Sequence, residues 1–222
     1  MKRILIFDTE THDRAKNFGK PEDDLTNYPY VLQIAGKIIE VDETLADFNP
    51  KIIYTFNKYV RPTRDNKEFI ITPASKKIHN LSEELLFKEG EDIKDISYHF
   101  NGLANAVDYI VAHNIQFDRN VMASELLRLG IKPTAKKGCR AFCTMKYNTN
   151  IIKLPNPNYP NSFKFPSLSD MYLYYFKKEL AENYKAHDAM GDVDALTDCV
   201  LVMLLTDNNF AEWIKGNVED IY

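Results

Sequence analysis

Arg3-Ile4-Leu5-Ile6-Phe7-Asp8-Thr9-Glu10-Thr11 is the stretch on which the reading of this chain turns. Arg3 to Phe7 reads as a short, continuous apolar segment that breaks abruptly at Asp8, the pattern of a buried strand whose end emerges at a sheet edge. Period-two geometry places Asp8 and Glu10 on one face, where like charges repel and each carboxylate resists desolvation. A divalent cation relieves both costs. Spacing alone is weak evidence, because Glu22-x-Asp24, Glu40-x-Asp42, Glu89-x-Glu91 and Asp192-x-Asp194 also occur. The bland alternative is that the strand stops at Asp8 and water solvates both groups.

Working outward, Tyr30 to Val41 and Ile52 to Val60 are rich in Val, Ile, Tyr and Phe and are separated by Asp47, Asn49 and Pro50, which predicts a strand pair. Ser82 before Glu83 and Glu84 predicts a helix start, and a second helix is expected over about Ile93 to Ala106. Tyr109 to Ala112 reads as another buried strand. Asn114 then caps a helix whose apolar stripe is Val121, Met122, Leu126 and Leu129, and Arg140 to Thr144 reads as a fifth strand. Prolines at 155, 157, 160 and 166 make Leu154 to Pro166 a long surface loop. Ser167 and Asp170 open an aromatic helix in a capping-box arrangement, and a last helix runs from Ala189 to Leu205. One βαβ crossover among early strands and late helices predicts a mixed sheet.

The 222 residues suit one packed core, so a single domain over 1–222 is expected. No apolar run approaches the roughly 20 residues of a membrane span, the longest being Val200 to Leu205. The run Ile4 to Phe7 is too short for a signal-peptide core, so a cytoplasmic protein with no membrane contact is expected. Cys139, Cys143 and Cys199 form no CxxC pair and read as ordinary buried thiols. The eight glycines are never closer than eight positions apart, which excludes GxGxxG and Walker A loops. HExxH and GxSxG are also missing.

Net charge is −4, yet the charge is segregated. Leu126 to Ser169 contains no Asp or Glu, while Arg128, Lys132, Lys136, Lys137, Arg140, Lys146, Lys153 and Lys164 are basic, leaving 20 basic against 32 acidic residues elsewhere. This pattern reads equally as a phosphate-binding rim beside an acidic centre or as a solvated loop of chance asymmetry. Asp118 heads the apolar stripe of its helix and faces the core, where the helix dipole alone accommodates it. Asp192 is harder to explain blandly. Ala195, Leu196, Cys199 and Met203 follow it at helical spacing, so its carboxylate points inward, whereas Asp194 and Asp198 read as solvent-facing. A buried ionised carboxylate costs several kcal/mol unless a cation or strong hydrogen bonds meet it. His187 lies five residues earlier; His12, His79, His99 and His113 read as structural.

Three segments together resemble the DEDDh, or DnaQ-like, 3'-to-5' exonucleases of the ribonuclease H-like superfold, which include the proofreading exonuclease subunit of bacterial DNA polymerase III. Ile6-Phe7-Asp8-Thr9-Glu10-Thr11 is similar to the family's first motif, His113-Asn114-Ile115-Gln116-Phe117-Asp118 to the second, and His187-Asp188-Ala189-Met190-Gly191-Asp192 to the third. Ile71-Thr72-Pro73 to Ile78-His79-Asn80-Leu81-Ser82 also resembles the segment preceding the family's helices. The resemblance implies an α/β, ribonuclease H-like fold: a five-stranded mixed sheet flanked by α-helices. It further implies Asp8, Glu10, Asp118 and Asp192 as ligands of two divalent ions, Mg2+ or Mn2+, with His187 as general base. Thr9, Thr11, Asn114 and Phe117 would help to hold the terminal nucleotides.

The implied partner is nucleic acid, single-stranded 3' ends of DNA, with a polymerase as a further candidate partner. Two features depart from the pattern. His12 follows Thr11 where many members have Thr-Gly, and the linker Thr11 to Pro29, ending Asn27-Tyr28-Pro29, is long enough to gate the site. Alternative readings are an RNA-trimming 3'-to-5' exoribonuclease, a silent exonuclease fold that only binds nucleic acid or a partner protein, and, more distantly, a small-molecule phosphodiesterase.

Overall fold

The computed structural model describes residues 1–17, 19–42, 49–64 and 67–216. Its strands are β1 (Lys2–Thr11), β2 (Val31–Val41), β3 (Lys51–Tyr59), the two-residue pair β4 (Thr63–Arg64) and β5 (Lys67–Glu68), β6 (Tyr109–Ala112) and β7 (Arg140–Cys143). The helices are α1 (Pro73–His79), α2 (Glu83–Glu89), α3 (Ile93–Ala106), α4 (Ile115–Arg128), α5 (Thr144–Ile152), α6 (Leu168–Phe176), α7 (Ala189–Thr206) and α8 (Asn208–Lys215). The main sheet has five strands in the order β3-β2-β1-β6-β7. β1 pairs antiparallel with β2 and parallel with β6, and the crossover β6–α4–β7 is the parallel unit expected from the sequence.

Alternation along β1 divides the core. Leu5 and Phe7 pack with Ile96 and Phe100 of α3 and Val121 and Met122 of α4, whereas Ile4 and Ile6 pack with Leu196, Cys199 and Met203 of α7 and with Trp213 of α8. Ile4 to Phe7 are fully buried, so a one-residue slip in register would turn each apolar face toward the wrong helices.

β1 does not end at Phe7 as the apolar run suggests. It continues to Thr11 because β2 supplies partners for the extra residues, Asp8 opposite Ala35 and Glu10 opposite Gln33. The strand therefore does not stop at Asp8, and Asp8 and Glu10 are each half-buried rather than free in solvent. Ser82, Asp92 and Ser167 cap their helices, the last in a full capping box with Asp170. Asn114 does not cap α4: it is in the left-handed region at φ 71 and its side chain makes no cap bond. The turn signal at Asp47 lies outside the described residues, and Cys143 and Cys199 are buried thiols while Cys139 is half-buried. No helix among them is long and apolar enough to cross a membrane.

The acid-free segment does not form one basic rim. Arg128 bonds Glu125 and the carbonyls of Leu25 and Tyr28, Arg140 bonds the carbonyl of Trp213, Lys136 pairs with Asp108, and Lys164 lies 3.9 Å from Asp170. Four of the eight cations thus serve internal contacts. Asp194 and Asp198 are likewise partnered and half-buried, Asp194 by Lys37 and Asp198 by the Tyr184 hydroxyl.

Candidate active site

The even positions of β1 face α7, so Asp8 and Glu10 project toward the helix that carries Asp192 in its first turn. The odd position between them, Thr9, reaches the other way. Its N–H and its hydroxyl both donate to Asp118 Oδ1, at 3.1 and 2.7 Å, fixing the carboxylate at the head of α4. Both of these Thr9 donors are committed to Asp118. Glu10, Asp192 and His187 each bring one ligand atom within 4.8 Å of the others. His187 is exposed, sits at φ 59, and donates its backbone N–H to Asp192 at 3.2 Å.

Two residues not singled out by sequence hold the start of α7. Gln33 on β2 is fully buried; its Oε1 accepts from the Ala189 N–H at 3.2 Å, and its Nε2 donates to Asn57 at 3.0 Å and to Asp188 at 3.5 Å. Asp188 caps α7 by accepting from the Gly191 N–H. Gly191 has no substitute: a Cβ there would lie 2.2 Å from the Lys185 carbonyl oxygen, within the turn that leads to His187.

Gathering these carboxylates changes their acidity in one direction. Burial, reinforced by the charges of Asp118, Asp192 and Glu10, raises Asp8 well above the ordinary carboxylate range. Burial first, then Asp192 and Asp118, pushes Glu10 up to about 8. Asp118 and Asp192 are pushed up to about 7, each mainly by burial, against the opposing pull of the Thr9 hydrogen bonds and the His187 N–H respectively. The described residues nearby supply no Lys or Arg partner for this cluster. Four clustered hard-oxygen donors, each resisting its own charge, with one imidazole at the edge, fit a divalent cation.

Beside Glu10 is a cavity of about 360 Å³ lined by Thr11, Ala15, Ser75, Ile78, His79 and Phe117. Phe117 and Thr11 therefore border the acidic cluster; Thr11 is buried and its hydroxyl donates to the Asp13 carbonyl. Asn114 is half-buried at the turn before α4, with its amide unused by the helix end. His79 is nearly fully buried, its Nδ1 accepts from the Leu81 N–H, and its ring also meets the Thr11 backbone, which fits a structural role. Ile78, 39% exposed, supplies the cavity's apolar wall. The signal for both was the 71–82 segment.

The model of the exonuclease family RNase_T matches residues 5–199, and so spans the whole acidic cluster. The chain belongs to this exonuclease family. Solved exonucleases share its fold. The zinc-bound E. coli exonuclease I complex with single-stranded DNA has a TM-score of 0.70 at 18% identity, over 96% of this chain and 42% of that one. Exonuclease I from Methylocaldum szegediense gives 0.65 at 17% identity, over 98% and 43%. Exonuclease X in complex with 5'-overhanging duplex DNA gives 0.55 at 20% identity, over 96% and 98%. The chain thus spans less than half the length of the exonuclease I proteins. No curated protein sequence matches it. The five-stranded mixed sheet flanked by helices is the ribonuclease H-like fold of these exonucleases.

Proposed function

We propose that this chain acts, as a single domain over residues 1–222, as a divalent-metal-dependent 3'-to-5' exonuclease that releases nucleoside 5'-monophosphates, with DNA as its main substrate. The observation that supports the reading is that Glu10, Asp192 and His187 bring ligand atoms within 4.8 Å of one another, while the charges of Asp118 and Asp192 act on both Asp8 and Glu10. The four carboxylates would hold two ions, Mg2+ or Mn2+. Bound there, such cations neutralise charge on the scissile phosphate and acidify an attacking water.

The chain's own residues do the rest. His187, exposed beside Glu10 and Asp192, takes the water's proton through its imidazole. Thr9 keeps Asp118 in place. The cavity walled by Ile78 and Phe117 receives the terminal base, with the Asn114 amide at the nearby turn free of the helix end. DNA is favoured over RNA because similar solved exonucleases are described with DNA strands. The presence of all five chemical groups argues against a silent module.

The test is a time course on 5'-labelled single-stranded DNA and RNA of one sequence, with Mg2+, Mn2+ or chelator, and Asp192→Ala as control. A metal-dependent ladder shortening from the 3' end and absent in the variant is expected, faster on DNA. No ladder on either strand would sink the nuclease reading, and a faster RNA ladder would transfer it to RNA trimming.

A further inference from the structure

The loop between α5 and α6 is built unlike a passive connection. Lys164 N–H donates to the Leu154 carbonyl, Pro155 bridges Phe163 antiparallel, and Ser162 N–H donates to the Tyr159 carbonyl, so residues 154–164 close on themselves as a small hairpin. Prolines at 155, 157 and 160 stiffen it further. Yet this ordered loop points three aromatic rings at solvent: Tyr159 is 69% exposed, Phe163 42% and Phe165 59%. Single exposed apolar residues are common on surfaces, but three rings within seven positions of one stiffened loop are not scattered.

Charge identifies what the rings meet. Lys153 precedes them, Lys164 lies between Phe163 and Phe165, and no acidic residue occurs from Leu126 to Ser169. Asp170, the first that follows, is engaged by Ser167 in the capping box, and its 3.9 Å contact with Lys164 is long and half-exposed, so the lysine can turn from it to a phosphate. The loop is also tied to the acidic site. The Pro166 carbonyl accepts from His113 Nε2 at 3.0 Å, and His113 closes β6 immediately before Asn114 and the turn that carries Asp118. A carbonyl only accepts, so Nε2 carries the proton and Nδ1 faces the Thr144 hydroxyl at 3.1 Å.

We propose that the 153–165 loop is a stacking platform for the single strand upstream of the nucleotide being removed, its bases lying on Tyr159, Phe163 and Phe165 and its phosphates against Lys153 and Lys164. Rings and cations alternating on a rigid support bind single strands without sequence preference. The proposal rests on the exonuclease reading and adds to it a length preference: strands long enough to reach the loop are bound more tightly than dinucleotides.

The test compares wild type with Tyr159→Ala/Phe163→Ala/Phe165→Ala on a dT 15-mer and a dT dinucleotide. Binding is measured by anisotropy in chelator, turnover in Mg2+. The platform predicts at least a tenfold loss of 15-mer affinity, from the roughly 1–3 kcal/mol that each stacked base contributes. It also predicts that the kcat/KM advantage of the 15-mer over the dinucleotide collapses. Tyr159→Ala alone, at the most exposed ring, gives a smaller loss in the same direction with the fold undisturbed. Lys153→Gln/Lys164→Gln should flatten the salt dependence of log Kd by about 1.4, roughly 0.7 per phosphate contact.

Equal loss on both substrates, or unchanged 15-mer affinity, overturns the platform; in the second case the rings would be free to serve a protein partner instead. A wild type that binds the strand but yields no ladder sinks the nuclease reading alone. A ladder whose length preference survives in the variant sinks the platform alone.

Discussion

Asp118→Asn should stabilise the metal-free protein while abolishing its turnover. Asparagine keeps an Oδ1 to accept from the Thr9 N–H and hydroxyl, so the substitution removes charge and little else. Burial pushes Asp118 up to about 7 from an ordinary 3.8. The sign follows from which state holds the proton longer. Below pH 4 the carboxyl is protonated both folded and unfolded, and wild type keeps its full stability. Between pH 4 and 7 the unfolded chain ionises first, and the native state loses ground. Above pH 7 the loss levels off at about 4 kcal/mol, three pKa units at about 1.4 kcal/mol each. For a chain of this size that is a rise in Tm of roughly 8 to 16 °C for the variant at pH 8. Thermal melts of both proteins in chelator from pH 4 to 9 measure it. Saturating Mg2+ or Mn2+ should then raise the Tm of wild type more than that of the variant. A variant no more stable than wild type at pH 8, or a gain equal at pH 4 and pH 8, would refute the reasoning.

Other perturbations follow from single contacts. His187→Ala should lower kcat by about 10²- to 10⁴-fold, the usual range for a general base, with metal affinity by calorimetry nearly unchanged; a large loss of affinity would make the imidazole a ligand instead. Burial pushes His113 down to about 4. The unfolded chain therefore protonates first as pH falls below 6.5, and the native state loses about 3 kcal/mol by pH 4. His113→Gln should remove that loss in urea titrations at pH 7 and pH 4, and parallel profiles for the two proteins would contradict it. Glu125, whose side chain is 1% exposed, accepts from Arg64, pairs with Arg128 and accepts from the Val31 N–H. Glu125→Ala should cost about 3 to 5 kcal/mol by leaving two guanidinium groups without their carboxylate, and a loss under 1 kcal/mol would show that water reaches the site.

The fold and the acidic residues were legible wherever local pattern and location carried the information. A continuous apolar run marked β1, runs rich in Val, Ile, Tyr and Phe marked its neighbours, Ser167 with Asp170 marked a helix start, and the apolar stripe behind Asp192 indicated that its carboxylate points inward. Patterns say nothing of partners far along the chain. The basic segment looked available for phosphate because Glu125, Asp108 and the Trp213 carbonyl cannot be read as partners of Arg128, Lys136 and Arg140 from composition. Nothing local to Thr9 reveals that its N–H and hydroxyl both bond Asp118, 109 positions away. Gln33 passed unnoticed for the same reason. Helices α1, α5 and α8 were missed, although Thr72 before Pro73 is a legible start, with the threonine as cap and proline in the first turn.

The attachment of α7 through Gln33 bears on the order in which the molecule is made. Gln33 and Ala189 are 156 positions apart, and Thr9 and Asp118 are 109 apart. Contacts of such separation close large loops and form late and slowly, after local helices and the β1–β2 pair have exacted their entropy. No segment shorter than most of the chain contains a working set of groups. Under the proposed function, a chain clipped before α7 keeps every strand of its sheet and loses Asp192, one carboxylate of the set.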